Sequence, residues 1–183
     1  MSKVSPKMTT PPEFDHPSIR SCPVINDLRG AFIPAFDATN DPFAGRHEAW
    51  CLQNFAISEP GTLRGMHYQE PLAQAKLITV IQGAIQDVVV DQRSGSTTFN
   101  QIFSFDLNSE STNQIFIPRG FAHGFLVVSP NNAIISYLAD APFSPADEGS
   151  FAWDSPNLKP IWQTLPNKLS SRDQSAPPRE ALG

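Results

Sequence analysis

The chain has 183 residues and a formal net charge of −5, which fits one domain with short tails. Nucleic-acid binding needs a basic face that neutralises phosphates, and no long run of Lys or Arg supplies one. No stretch approaches about 18 apolar residues, so a transmembrane helix is not expected. The first residues also lack the apolar stretch of a signal peptide. These features predict a cytoplasmic protein whose two cysteines, Cys22 and Cys51, are reduced.

Proline is unusually frequent, with 18 residues in the chain, about twice its ordinary share of ~5%. Because proline is poorly tolerated inside helices and central strands, its frequency predicts short elements joined by many turns. We expect one domain at residues 13–173, flanked by flexible tails at 1–12 and 174–183.

The apolar patterns in chain order predict an all-β protein. Helices are expected only as short peripheral elements, near 42–50 and 166–172. Residues 61–69 predict a turn that leads into a strand, and 76–91 predict two strands joined by a tight turn at Gln82-Gly83. The other predicted strands are 99–107, 114–118, 121–128 and 133–138. Short strands at intervals of about 8–12 residues are typical of a sandwich or barrel.

Two of the four histidines, His67 and His123, lie in the β-rich middle of the chain, each shortly after an Arg-Gly turn. Either one alone is compatible with a buried, hydrogen-bonded side chain, whereas the pair favours a functional site. Metal sites usually need three or four protein ligands, and neither histidine has the His-x-His neighbour that barrel sites often use. The sequence therefore predicts a metal-free site in which histidine acts as a general acid or base.

A catalytic histidine needs an orienting carboxylate. The pattern alone does not choose among the aspartates of the central and C-terminal parts, which are Asp87, Asp91, Asp106, Asp140, Asp154 and Asp173. Lys76 begins an apolar strand and Tyr137 interrupts one. Ordinary packing, at a strand end for Lys76 and in the core for Tyr137, also explains their positions. Arg29 and Arg64 each lie in a Leu-Arg-Gly turn, either as surface residues or as forks for a phosphate.

Six segments together resemble the dTDP-4-dehydrorhamnose 3,5-epimerase family, and they cover about residues 24–175 in order. They are DLRGAF (27–32), GTLRGMHYQ (61–69), AKLITVIQGAIQDVVVDQRSGSTTF (75–99), IFIPRGFAHGFLVVS (115–129), FSPADEGSFAWDSP (143–156) and LSSRD (169–173). The resemblance implies a cupin-type double-stranded β-helix, a jelly-roll barrel with short peripheral helices. It also implies a homodimer that exchanges an N-terminal strand, with no metal and no organic cofactor.

The resemblance further implies four catalytic roles. His67 matches the family's base, and Asp173 matches the carboxylate paired with it. Lys76 matches the lysine that faces the keto oxygen of the sugar, and Tyr137 matches the tyrosine that returns a proton from the opposite face. These residue types suit the reaction, because a proton beside a ketone becomes removable when a cation stabilises the developing enolate in a dry cavity.

The remaining matches imply contacts with a nucleotide-linked 4-keto-6-deoxy sugar. Arg64 and Arg29 match arginines near the pyrophosphate, and the other matched positions on the substrate side are Gln53, His123 and Phe143. The chain departs from the family at two places. A polar Asn-His-Ser wall is replaced within residues 53–57 by Phe-Ala-Ile, and a pair of aromatic residues is replaced at 142–143 by Pro-Phe.

Three functions remain open on the sequence. The first is a 3,5-epimerase acting on dTDP-4-keto-6-deoxy-glucose in L-rhamnose and surface-polysaccharide synthesis. The second is a single-carbon epimerase on a related nucleotide-linked keto sugar, favoured by the changed pocket segments. The third is a non-enzymatic sugar-binding cupin, which the loss of a catalytic residue would indicate, although all four are present. Related ketoisomerases usually carry a different histidine arrangement.

Overall fold

A computed structural model describes residues 16–43 and 48–179, and within them the chain forms 12 β-strands and one short α-helix. The strands are β1 (Ser18–Ser21), β2 (Ile25–Asp27), β3 (Gly30–Phe32), β4 (Leu52–Ser58), β5 (Leu63–Gln69), β6 (Lys76–Gln82), β7 (Ala84–Asp91), β8 (Ile102–Asn108), β9 (Asn113–Ile117), β10 (Phe121–Val127), β11 (Ala133–Ala139) and β12 (Glu148–Ser150). The helix α1 spans Ser171–Gln174, and a 3₁₀ turn spans Lys159–Ile161. The predicted all-β class is confirmed.

Two five-stranded antiparallel sheets build the fold, in the orders β1-β9-β6-β11-β4 and β12-β5-β10-β7-β8. Their facing surfaces enclose the main core, to which both sheets contribute buried side chains such as Ile78, Ile135, Val89 and Phe125. This two-sheet arrangement confirms the predicted jelly-roll barrel.

Strand β7 is buried on both faces, which explains its unbroken apolar sequence. Val89 packs in the core between the sheets. Val88 and Val90 point to the outer face, where Leu158 and Trp162 cover them. The segment after β12 therefore acts as an outer layer on the second sheet.

The turn at Gly83 carries the chain from one sheet to the other. The two strands predicted on either side of it are confirmed as β6 and β7, but they lie in different sheets and do not pair with each other. Gly83 has a φ of +80°, and a Cβ there would lie 2.7 Å from Ser129 Oγ. Glycine therefore meets both the conformational and the spatial demands of this corner.

The helix predictions need correction. Neither 42–43 nor 48–50 is helical, and residues 44–47 lie outside the described part of the chain. The helix expected at 166–172 begins only at Ser171, because Ser170 is the N-cap and its side chain accepts a hydrogen bond from the Asp173 amide. Just before it, the Lys168 carbonyl accepts a hydrogen bond from the Leu63 amide at 3.0 Å, which holds the segment extended beside β5.

The predicted tail at 174–183 is anchored as far as it is described. The Ala152 amide donates to the Pro177 carbonyl at 2.7 Å, and the Arg179 amide donates to Ser155 Oγ at 2.9 Å. The other predicted tail, 1–12, lies outside the described residues. No helix in the described ranges combines the length and the hydropathy needed to cross a membrane.

Strands β2 and β3 form a hairpin that pairs with neither sheet. All of its strand residues are exposed. Three of its side chains are large and apolar, with Ile25 56%, Leu28 108% and Phe32 67% exposed. Clustered exposed apolar side chains of this kind mark an interaction surface more often than a free one.

Candidate active site

A cavity of about 790 Å³ is lined by residues of both sheets and of α1. Its volume falls in the range of small-molecule sites. Five of the titratable residues predicted to form the site line this one cavity. They are His67, Lys76, His123, Tyr137 and Asp173.

A close contact between β5 and β10 sets the direction of both histidines. His67 and His123 are directly opposite each other in the antiparallel pair, and the register shifts between His123 and Phe125. Gly65 has a φ of +125°, and a Cβ on it would lie 2.5 Å from the Gly124 Cα. Gly65, two residues before His67, and Gly124, directly after His123, therefore permit the irregular pairing. Such irregularities often change the direction of side chains beside active sites.

His67 and Asp173 form a tight pair although 106 positions separate them in the sequence. The Nε2 atom of His67 lies 2.6 Å from Oδ1 of Asp173, whose side chain is 3% exposed. Ser170 Oγ donates to the other carboxylate oxygen at 2.8 Å. Burial alone would raise the pKa of Asp173, but the hydrogen bonds from His67 and Ser170 lower it below its ordinary value. An ionised Asp173 fixes the imidazole and leaves Nδ1 as the nitrogen that can accept a proton.

Lys76 is the first residue of β6, and the buried carboxylate of Asp140 fixes the backbone just before it. The Ala75 amide donates to Asp140 Oδ1 at 2.7 Å, and Arg119 Nε donates to the other oxygen of that carboxylate at 3.0 Å. Burial lowers the pKa of Lys76 to about 8, against the opposing effect of the Asp87 and Glu148 charges. Lys76 is therefore mostly an ammonium at neutral pH.

His123 lies beside a fully buried carboxyl group. Its Nδ1 is 3.6 Å from Asp87 Oδ2, and within the described residues neither Nδ1 nor either Asp87 oxygen has a hydrogen-bond partner. Burial raises the pKa of Asp87 well above its ordinary value, although Lys76 opposes that rise. Burial, with Lys76 and His67 nearby, lowers the pKa of His123. We therefore treat His123 as a neutral imidazole beside a carboxyl group, and not as half of a salt bridge.

Tyr137 enters the cavity from the opposite wall to His67. It lies on β11 in the first sheet, next to Ile78 of β6 and Asn54 of β4, whereas His67 lies on β5 in the second sheet. Part of the Tyr137 side chain packs against the core between the sheets. The two sheets thus present a phenol and an imidazole to the same space.

Two predicted substrate residues are not part of the cavity in the single chain. Gln53 is exposed and donates to Ser136 Oγ at 3.1 Å on the other face of the sheet, whereas its neighbour Asn54 lines the cavity. Side chains alternate along a strand, so a shift of one residue reverses the face. Arg29 lies in the β2–β3 turn, where its side chain is 91% exposed and paired with Asp27 at 2.5 Å.

Arg64 and Phe143, the other two predicted substrate residues, do line the cavity. Arg64 Nε donates to Ser58 Oγ at 3.0 Å, which holds the guanidinium against β4. Two apolar residues of β4, Phe55 and Ile57, alternate with Asn54 and Ala56 and so share the outer face with Gln53; they reach the cavity at its rim, where each is 65% exposed. The cavity therefore combines a cationic contact with an apolar rim.

Sequence reasoning missed Glu148, which lines the cavity from β12 and forms an ion pair with Arg172 of α1. It lies inside the 143–156 segment, but an acidic residue in a polar, proline-rich stretch carries no signal of its direction. The described residues contain no group of three or more His, Cys, Asp or Glu side chains placed to hold a metal ion.

The family profile "dTDP-4-dehydrorhamnose 3,5-epimerase" matches residues 15–180. A dTDP-4-dehydrorhamnose 3,5-epimerase from Sinorhizobium fredii is 40% identical over 166 residues, covering 84% of this chain and 80% of the relative.

Two solved structures show the same fold. The dTDP-6-deoxy-D-glucose-3,5-epimerase of Legionella pneumophila, in complex with dTDP-4-keto-L-rhamnose, has a TM-score of 0.83 at 34% identity, covering 93% of this chain and 92% of that one. A 3'-monoepimerase from Streptomyces bikiniensis, in complex with dTDP-quinovose, has a TM-score of 0.80 at 32% identity, covering 88% and 83%. The profile, the sequence relative and the shared fold agree, and the chain is therefore an isomerase that belongs to the dTDP-4-dehydrorhamnose 3,5-epimerase family.

Proposed function

We propose that this chain inverts carbons 3 and 5 of dTDP-4-keto-6-deoxy-D-glucose by removing and returning protons. The observation that carries the proposal is the cavity in which the Asp173-bound His67 and Tyr137 come from opposite sheets, with Lys76 on the same lining. The product is dTDP-4-keto-L-rhamnose, which would supply L-rhamnose for surface polysaccharides such as lipopolysaccharide. A cytoplasmic location stays a prediction from the sequence.

The reaction begins with proton removal by His67. Nδ1 takes the proton from the carbon beside the ketone, and the electron pair of the C–H bond moves to the keto oxygen to give an enolate. The Lys76 ammonium stabilises that oxygen, a role for which a cation in a water-poor cavity is well suited. Asp173 stabilises the imidazolium that forms, as carboxylates do in other histidine pairs.

Inversion is completed from the other face. Tyr137 donates its hydroxyl proton to the same carbon as the enolate collapses back to the ketone. The phenolate then regains a proton from solvent, and His67 releases its own, so each cycle leaves the enzyme unchanged. Repetition at the second carbon adjacent to the ketone gives the doubly inverted sugar.

The cavity lining offers side chains that suit both the charged and the apolar parts of the substrate. Arg64 presents a guanidinium, whose fork geometry suits a pyrophosphate oxygen pair. Phe143 supplies a partly exposed ring at the cavity, which suits stacking against a flat base. His123 contributes a neutral imidazole to the lining.

We propose a homodimer in which the β2–β3 hairpin docks on the partner subunit. The exposed Ile25, Leu28 and Phe32 need an apolar surface to cover them. Phe55 and Ile57 on the edge strand β4 offer such a surface, since each is 65% exposed. Docking of this kind would bring Arg29 from one subunit towards the substrate of the other.

A single-carbon epimerase is the alternative function. The similar 3'-monoepimerase from Streptomyces bikiniensis means that family membership alone does not fix the number of inverted carbons. The apolar 55–57 stretch in the cavity lining also differs from the polar wall that the family resemblance leads us to expect. A different wall would hold the sugar ring in a different pose.

One experiment separates these functions. The protein is incubated with dTDP-4-keto-6-deoxy-glucose in deuterated water, and carbons 3 and 5 are followed by NMR. Deuterium at both carbons supports the 3,5-epimerase, and deuterium at one carbon supports the alternative. Tight binding of the sugar nucleotide without any deuterium uptake would contradict both and indicate a sugar-binding protein.

A further inference from the structure

Phe143 is the ring proposed to stack on the base of the nucleotide, and a side chain of β5 binds its backbone. The Ser144 amide, directly after Phe143, donates to Gln69 Oε1 at 2.9 Å. Gln69 Nε2 donates to the Leu72 carbonyl at 2.9 Å and, at the longer distance of 3.4 Å, to the carbonyl of Pro142 directly before Phe143. Gln69 therefore contacts the backbone on both sides of the ring.

The orientation of the Gln69 amide is fixed by these partners. A backbone amide can only donate a hydrogen bond and a carbonyl can only accept one. Oε1 must therefore face Ser144, and Nε2 must face the two carbonyls. Gln69 is 8% exposed, so water is poorly placed to replace these bonds if the side chain is removed.

Strand β5 connects Phe143 to the proposed base. His67 and Gln69 are two residues apart on β5 and both line the cavity, as the alternation of side chains along a strand leads us to expect. The next residue, Glu70, donates its amide to the Asp147 carbonyl at 2.9 Å, beyond Phe143 in the same loop. The strand that carries the base therefore also holds the loop that carries the ring.

The backbone has to position Phe143 because packing does little to hold it. The residue is 53% exposed, and it is the single ring where the family resemblance leads us to expect a pair of aromatic residues. Pro142 restricts its own φ to about −65°, and the Ala141 carbonyl accepts a hydrogen bond from Gln74 Nε2 at 2.8 Å. A ring already fixed near its bound position loses less conformational freedom when the ligand binds.

We infer that Gln69 is a positioning residue that holds Phe143 at the cavity and thereby sets the affinity for the nucleotide. The inference rests on the proposed function, which gives Phe143 its contact with the base. Because Gln69 acts through the ring, its loss should raise KM by more than it lowers kcat. The same loss should have little effect on binding once the ring itself is absent.

A double-mutant cycle tests this coupling. Titration calorimetry measures the dissociation constant of dTDP for the wild type, Gln69→Leu, Phe143→Ala and the double variant. Leucine keeps much of the volume of glutamine but makes none of its hydrogen bonds. We expect Gln69→Leu to weaken dTDP binding by about threefold to tenfold, the cost of ordering one side chain. In the Phe143→Ala background the same change should weaken binding by less than about twofold. With dTDP-4-keto-6-deoxy-glucose as the substrate, steady-state kinetics give the separate changes in KM and kcat.

Two further variants complete the test. Gln82→Leu removes a strand glutamine that also donates to a loop carbonyl, that of Asn132, but lies outside the cavity lining, so dTDP affinity should not change. Gln69→Glu keeps an acceptor for Ser144 but loses the donor to the two carbonyls, and it replaces Gln69→Leu in the cycle if that variant does not fold. The inference is wrong if Gln69→Leu binds dTDP as the wild type does, or if its loss is equally large with and without Phe143. Absence of epimerisation with the coupling intact would overturn the proposed function alone, because dTDP binding requires no turnover.

Discussion

The cavity and the β2–β3 hairpin differ in how firmly contacts within the chain hold their side chains. In the cavity, His67 is held on Asp173, and the backbone before Lys76 is held by Asp140, all within one chain. In the hairpin, large apolar side chains are exposed and Arg29 is paired with nearby Asp27 in the same turn. The difference shows that the groups proposed for the proton chemistry are held within one chain, whereas the hairpin has a role in substrate binding only in the proposed dimer.

The largest effect should come from removing the base His67, which tests the cavity side of this comparison. In His67→Ala we expect deuterium exchange at every sugar carbon to fall by about 10³-fold or more, within the range usual for a general base. NMR in deuterated water measures it. His16→Ala is the matched control, because His16 stacks on Phe103 outside the cavity. Exchange that survives in His67→Ala at near the wild-type rate would refute the assignment.

The second effect tests whether His67 and Tyr137 act from opposite walls of the cavity. Tyr137→Phe removes the proton donor but not the base, so we expect inversion to fall by about 10²-fold, with deuterium exchange falling less. Both quantities are measured on the same sample, by chiral analysis of the product and by NMR. Inversion at the wild-type rate in this variant would reject the role given to Tyr137.

The third effect tests whether the hairpin depends on a partner. The double variant Leu28→Ser, Phe32→Ser should weaken dimerisation by more than about tenfold, because each large side chain contributes roughly 1.5–3 kcal/mol when buried. Sedimentation equilibrium measures the dissociation constant. Leu165→Ser, which changes another exposed leucine, is the control. A wild type that stays monomeric at all concentrations would rule out the proposed dimer.

The smallest effect concerns neighbouring residues of β4. Gln53→Ala should change kcat/KM by less than about twofold, because its side chain contacts Ser136 away from the cavity, and surface changes of this kind cost little. Asn54→Ala should change it more, since Asn54 lines the cavity. Steady-state kinetics compare the two variants. A larger loss for Gln53→Ala would mean that the face assigned to β4 is wrong.

Much of the fold was predictable, because the apolar runs of β6, β7, β9, β10 and β11 are bounded by clear turn residues. The pattern could not show that β6 and β7 belong to different sheets, since alternation along a strand says nothing about its neighbour. The helix starting at Ser171 was placed too early, because tertiary pairing of Lys168 with the chain before β5 outweighs local preference.

The site was predictable in its residue types but not in its geometry. Motif resemblance suggested that His67 and Asp173 pair, but only the return of α1 to β5 brings them to 2.6 Å. The resemblance matches Gln53 to the substrate side, but in the single chain its neighbour Asn54 lines the cavity, because side chains alternate along β4. Glu148 was missed, because the sequence does not show that its side chain lines the cavity or that it pairs with Arg172 of α1.

The position of β4 in its sheet has a consequence for redesign. The strands that carry His67, Lys76, His123 and Tyr137 each have a neighbouring strand on both sides, whereas β4 is the terminal strand beyond β11. Side-chain substitutions on β4 that keep its backbone pairing with β11 leave the ladders of the other three strands untouched, and they preserve the pairing of Tyr137 with Asn54. The specificity of the cavity could therefore be altered through the side chains of β4 without moving the groups that handle the protons.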